Sequence, residues 1–347
     1  MPKPISHDSL RHTADQVYRY MVSDHTGNWG MDIQHWDWVP GVGVIAILSY
    51  YENTRNEEVL DYLVKWARTN MPTSEQAIVI NAVAPFAIFP ALYEYTHDPL
   101  FLEESLRVGQ WILTEAPRTR EGAFEHTVTE NVSFPEQVWA DTIFMAVLFL
   151  ARLARVTGDD SYAFEAVRQV ELHLELLEDK ETCVMFHGWN CIAQDHMSAA
   201  RWTRANAWIA VGTPMIMQEL EGIATLSQEA MKRYRAMMHG LIHFQQANGL
   251  WATVMDRPDF YPETSGSAGI ACGMLKAIRQ GLIDNAYEDS AFRALKAIVQ
   301  KVLPSGEVTD VSGGTPVMPS IEAYHEIPCH PTLYGQGLVL MLFSELL

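Results

Sequence analysis

The chain has 347 residues, with 24 Lys plus Arg against 43 Asp plus Glu, a formal charge of −19, and 48% apolar residues. That is ample material for a large core and excludes intrinsic disorder. The acidic balance argues against nucleic acid and against an anionic membrane as partners.

Apolar residues at three- and four-residue spacing predict helices over 10–23, 42–51, 59–67, 77–95, 100–114, 138–156 and 161–177. The same spacing predicts helices over 203–221, 228–247, 267–280, 290–302 and 334–347. Two short segments, 181–186 and 250–255, read as strand arms. The joints alternate between short polar turns, such as THDPL and TGDDS, and long loops rich in Trp, His, Gly and Pro. About twelve helices in helix–turn–helix pairs read as stacked hairpins with a repeat of architecture but no residue consensus. The last helix, LYGQGLVLMLFSELL, is apolar almost all round, so it needs burial on every face. An open solenoid would end in a polar cap. Closure of six hairpins into an all-α (α/α)6 toroid is therefore expected, as one domain over 1–347. No apolar run reaches the ~18 residues of a membrane span, and the segment MPKPISHDSL has no apolar signal region. The four cysteines form no C-x-x-C pair and suggest neither a zinc site nor a disulfide scaffold. A soluble cytoplasmic protein is expected.

The long loops hold the candidate chemistry. Trp29, Trp36, Trp38, Trp189 and Trp202 lie in or beside them, with His25, His35, His126, His187 and His196 nearby; Trp139 and Trp208 are placed just inside helix starts. Such Trp faces either hold sugar rings or plug the toroid. Asp141, in QVWADTIFMAVLFL, sits at the head of a strongly apolar helix. It is either a favourable charge on the helix dipole or a general acid whose pKa is raised by apolar surroundings. Arg204, between Trp202 and Trp208 in RWTRANAW, suits a carboxylate ligand or packs on Trp at the surface. His126 and His187 follow Gly-containing turns. There is no H-E-x-x-H, P-loop or G-x-S-x-G, so neither metal nor cofactor is implied.

QVWADTIFMA, FHGWN, RWTRANAW, YPETSGSA and PTLYGQGLVLML, in that order along nearly the whole chain, resemble glycoside hydrolase family 105, the unsaturated rhamnogalacturonyl hydrolases. The related family 88 unsaturated glucuronyl hydrolases share the toroid. The resemblance implies an (α/α)6 barrel and a small oligosaccharide substrate ending in a 4,5-unsaturated uronic acid, left by a polysaccharide lyase. It implies hydration of the double bond: an Asp protonates C4, water adds at C5 and the hemiketal falls apart. The matching Asp is Asp141. His126, Trp139, His187, Trp202, Arg204 and Trp208 match pocket positions, and Trp38 joins the sugar platform. The family commonly carries a second Asp where this chain reads INAVAP with Asn81, which can hydrogen-bond a hydroxyl or orient water but not exchange a proton. Two other classes remain open from the residues: a sugar epimerase of the N-acylglucosamine 2-epimerase kind using His126 and His187 as bases, and an inactive carbohydrate-binding protein. A monomer or homodimer is expected.

Overall fold

The computed structural model describes residues 6–347; the first five residues of the amino-terminal segment lie outside them. The described residues form thirteen α-helices: α1 (His7–Met21), α2 (Trp38–Thr54), α3 (Glu57–Asn70), α4 (Phe89–Thr96), α5 (Pro99–Thr114), α6 (Leu148–Thr157), α7 (Asp160–Leu177), α8 (Thr203–Glu219), α9 (Gln228–Phe244), α10 (Thr264–Arg279), α11 (Glu288–Val299), α12 (Ile321–His325) and α13 (Leu333–Ser344). Two strands, β1 (Gln137–Trp139) and β2 (Gly188–Asn190), pair antiparallel with Val138 opposite Trp189.

Burial sorts the helices into two rings. Helices α2, α8, α10 and α13 are buried on every face, in long unbroken runs such as Val39–Tyr51 and Thr203–Ile216. The stretches 81–96 and 143–157 complete this inner ring. Helices α1, α3, α5, α7, α9 and α11 bury one stripe each, as α1 does with Leu10, Ala14, Val17 and Met21. A one-sided stripe makes an outer helix and an all-round apolar helix must be internal. The inner elements contact one another in sequence, and α13 returns to pack on α2 and α1. The expected (α/α)6 toroid is thus closed by the helix whose apolar surface demanded closure.

Local chemistry sets the joints. Asp98 and Asp159 cap α5 and α7 by accepting from Leu100 N–H and Ser161 N–H, at 3.2 and 2.9 Å. Gly158 ends α6 in the left-handed region, with φ at 68°. Where α8 meets α10 the backbones approach so closely that a Cβ on Gly273 would run into the Ala210 carbonyl.

Three expectations need correction. The predicted helix 77–95 is broken into 3-10 turns at Met71–Ala77 and Asn81–Ile88 before α4. Pro85 and Pro90 lack the N–H that a continuous helix requires. The predicted helix 138–156 begins as strand β1, turns at Asp141, and passes through a π turn, Ile143–Val147, into α6. The proposed arms 181–186 and 250–255 contribute only isolated bridges, such as Glu178 with Met185 and Trp202 with Val254. The hairpin that does form pairs segments some fifty residues apart, a distance periodicity cannot see.

Two buried histidines make stability depend on pH. His173 in α7 and His126 are almost wholly inaccessible, and burial pushes both down to about 4. Both are neutral in the fold near pH 7. Between about pH 6.5 and 4 the unfolded chain binds protons that the native state refuses, so stability falls as pH drops through that window. For each histidine the loss by pH 4.5 is roughly 2–3 kcal/mol. His173→Leu is expected to remove its share, measured by urea unfolding at pH 7 and 4.5. An unchanged pH difference in the variant would show that His173 carries none of it.

Candidate active site

All six inner elements point their N-terminal ends at the same mouth of the toroid. Trp38 opens α2, Asn81 opens the 3-10 turn, Asp141 precedes the π turn, Arg204 is the second residue of α8, Glu263 caps α10 and Tyr334 is the second residue of α13. Fixed helix polarity therefore brings residues 38, 81, 141, 204, 263 and 334 together. It also gathers partial positive charge in a chain that is negative overall.

A cleft of about 300 Å³ occupies this mouth, lined by Trp38, Asn81, His126, Trp139, Asp141, Trp202 and Arg204, with Trp29, Phe134 and the 314–316 segment at the rim. That volume lies at the small end of the ~300–1,000 Å³ range of ligand pockets. Its walls are aromatic faces in stacks. Trp38 lies parallel to Tyr334, at 5.2 Å and 14°. The Arg204 guanidinium is held between Tyr334 and Trp202, 4.5 and 4.4 Å from their centroids. His187 continues the stack at 4.3 Å from Trp202. Across the cleft His126 lies flat on Trp139, at 4.0 Å and 13°.

Asp141 presents its Oδ2 to His187 Nε2 at 3.5 Å, longer than a full hydrogen bond. Burial pushes the Asp141 carboxyl up, but His187, then His126 and Arg204, more than offset it and hold it below the ordinary carboxylate value. Of the two readings left open for Asp141, the raised pKa does not hold: apolar packing alone would raise it, but His187 lies beside it. Burial also pushes His187 down despite the adjacent carboxylate. The pair is a carboxylate facing a neutral imidazole.

Arg204 is buried and most of its donors are engaged. Its Nη1 donates to Ser312 O at 2.9 Å and Ser265 Oγ at 3.3 Å, and its Nη2 donates to Gly313 O at 2.8 Å. Glu263, fully buried, stands 3.8 Å away as its counter-charge. The guanidinium thus ties the segment before α13 to α8. It retains few N–H groups for a ligand.

The cleft holds a set of buried polar atoms without protein partners: Asn81 Oδ1, His126 Nδ1, Asp141 Oδ2 and Trp202 Nε1, with His187 Nε2 behind Asp141. Buried polar groups are paired in the great majority of cases. Asp141 Oδ2 and His187 Nε2 face each other at 3.5 Å, and the other three, around one aromatic-walled cleft, mark a place where a polar ligand completes the hydrogen bonding.

Most of the residues expected from the sequence converge here: Trp38, Asn81, His126, Trp139, Asp141, Trp202 and Arg204 on the wall and His187 behind it. Trp208 does not. It is wholly buried in α8, 5.0 Å from Phe144, and is core rather than sugar platform. Its position is six residues along α8 from Trp202, which carries it below the floor. Trp139 lies on β1 and not inside a helix. Two participants were not read from the sequence: Tyr334 and Glu263. The signal for Glu263 was its place immediately before a Thr-Ser-Gly helix start; Tyr334 follows a Thr cap on an otherwise apolar helix.

A family model for Glycosyl Hydrolase Family 88 matches residues 13–347. The unsaturated rhamnogalacturonyl hydrolase YesR of Bacillus subtilis is 33% identical over 314 residues, 90% of either chain. A crystal structure from Salmonella enterica, described as a possible member of the GH105 family, superposes with a TM-score of 0.92 at 28% identity. It covers 100% of this chain and 95% of its own. A similar structure from Klebsiella pneumoniae gives 0.91 at 28%, with the same coverage.

Proposed function

The chain belongs to glycosyl hydrolase family 88, and from that premise we propose that it removes a 4,5-unsaturated uronic acid from the non-reducing end of lyase-generated oligosaccharides, with a rhamnogalacturonan-type disaccharide as the favoured substrate. The observation that carries this reading is the convergence of unpaired buried polar atoms on a carboxylate inside an aromatic cleft. Aromatic faces take the flat sugar ring and the orphaned atoms meet its hydroxyls. The inner N-termini favour a small anion such as the uronate. Relatives named for this hydrolysis support the reading, and none of those described lends weight to the epimerase or binding-only alternatives.

Asp141 is the proton carrier in this proposal. Its protonated carboxyl donates to C4, the C5 cation takes a water oxygen, and the water proton returns to the carboxylate. The hydrated sugar then opens at C5 and expels the neighbouring sugar from C1. Held low by His187, Asp141 must gain its proton with the substrate; an incoming uronate, as a like charge, favours that gain. Among the described residues no helix is long and apolar enough to cross a membrane, and a cytoplasmic enzyme finishing imported lyase products fits the proposal.

The test is ultraviolet absorbance of the conjugated double bond during incubation with lyase-made disaccharides from rhamnogalacturonan, ulvan and glycosaminoglycan. Loss of absorbance with release of rhamnose is the expected result. A folded protein that leaves every member of that panel unchanged refutes the proposal.

A further inference from the structure

Behind Asp141 runs a buried chain of contacts that no cleft residue explains. His187 Nδ1 lies 2.6 Å from the Tyr324 hydroxyl, and Met318 N–H donates to that same hydroxyl at 3.1 Å. Tyr324 is wholly buried on α12, and His187 is buried between Trp202, Trp139 and Tyr324. A backbone N–H can only donate, so the Tyr324 oxygen accepts from Met318 and its single hydrogen must go elsewhere. Ser198 Oγ also lies beside that hydroxyl but makes no hydrogen bond of its own, and the 2.6 Å contact with His187 Nδ1 is the short one open to the Tyr324 hydrogen. Donation by Tyr324 along that short contact makes Nδ1 the acceptor and leaves the imidazole proton on Nε2.

We infer that Tyr324 is a positioning residue of the active site: its hydroxyl fixes His187 as the Nε2–H tautomer, so that an N–H and not a lone pair faces Asp141. This rests on Asp141 being the proton carrier only for its effect on turnover; the tautomer itself does not. The geometry gives the tautomer its consequence. With Nε2–H toward it, Asp141 Oδ2 is anchored as an acceptor and the other carboxylate oxygen is left for the sugar. With the opposite tautomer two lone pairs would face each other at 3.5 Å. The device also joins the strap 313–318, whose carbonyl at Gly313 Arg204 holds, to the reacting carboxylate. The titratable and charged groups around His187 are Asp141, His126, Arg204 and Tyr324. The nearest cation, Arg204, is fixed by Glu263 and by carbonyls and takes no part in the exchange.

The first measurement is nitrogen-15 NMR of histidine-labelled wild-type protein near pH 7, with the His187 signals assigned by their loss in His187→Gln. A pyridine-type Nδ1 and a protonated Nε2 are expected; a protonated Nδ1 overturns the inference whatever the enzyme's substrate. The second is Tyr324→Phe, which keeps the ring and removes the hydroxyl. With the disaccharide that the absorbance panel identifies, kcat is expected to fall 10- to 100-fold with KM within about threefold. The descending limb of the pH profile of kcat is expected to move to higher pH, because Asp141 loses its fixed donor. A merely structural tyrosine would change stability and leave the pH profile in place. An unaltered kcat and pH profile in Tyr324→Phe overturns the inference, and the NMR reading stands even if that variant does not fold.

Discussion

Asp141→Asn is expected to lower turnover of the unsaturated disaccharide by roughly 10²–10⁴-fold, the contribution of one positioned proton carrier. The amide keeps the volume of the carboxyl and can still accept from His187 Nε2, so the surrounding stacks are undisturbed. What it loses is the ability to carry a proton to C4. The loss should therefore fall on kcat and not on KM, since the aromatic walls and the other unpaired polar atoms still take the sugar. Stability is expected to hold or rise slightly, because a buried ionised group flanked by a neutral imidazole is replaced by a neutral one. Steady-state kinetics together with thermal unfolding decide the matter. A variant that retains a tenth of wild-type turnover removes Asp141 from the chemistry, and the neutral His126 would then have to account for it.

That carboxylate shows how far residues alone reach. Asp141 was legible as a candidate because an acid two places from Trp139 and ahead of a long apolar run is either a charge on a helix dipole or a general acid. Its ionisation was not legible. It depends on His187, forty-six residues away, brought beside it when β1 pairs with β2. The toroid was legible from the alternation of one-sided and all-round apolar helices and from the last helix's need for cover. The broken inner element around Asn81 was not, since its apolar spacing is helical while Pro85 and Pro90 forbid the helix. Trp208 misled for a related reason. Apolar character is the same in a core and on a sugar platform, and only the register of α8 separates them. Arg204 was found but its loyalties were not. A guanidinium between two tryptophans in sequence suggested a free clamp, whereas most of its donors serve the chain itself.

Glu263→Ala is expected to destabilise the fold by about 3–5 kcal/mol, the cost of stranding one member of a buried ion pair. Its Oε1 accepts from Ser265 N–H at 3.1 Å, Ser265 Oγ at 2.7 Å and Ser312 N–H at 3.1 Å, and its Oε2 accepts from Gly266 N–H at 2.6 Å. Removing it leaves those donors without an acceptor and Arg204 without its counter-charge in a region closed to water. Coulomb attraction at 3.8 Å is the smaller part of the effect; the orphaned N–H groups and the unpaired guanidinium are the larger. Glu263→Gln separates the two. Its single carbonyl oxygen can replace Oε1 toward Ser265 and Ser312, but its amino group faces the Gly266 N–H. It should therefore cost about half as much as Ala, in the range of one lost charge-assisted hydrogen bond, ~1.5–3 kcal/mol. Activity should fall in step, because Arg204 released from Glu263 no longer holds Gly313 at the cleft rim or Trp202 on its wall. Urea unfolding of the three proteins gives the order wild type, Gln, Ala. If Ala lies within 1 kcal/mol of wild type, water reaches the cap of α10 and the Arg204–Glu263 pair does not hold the mouth of the toroid together.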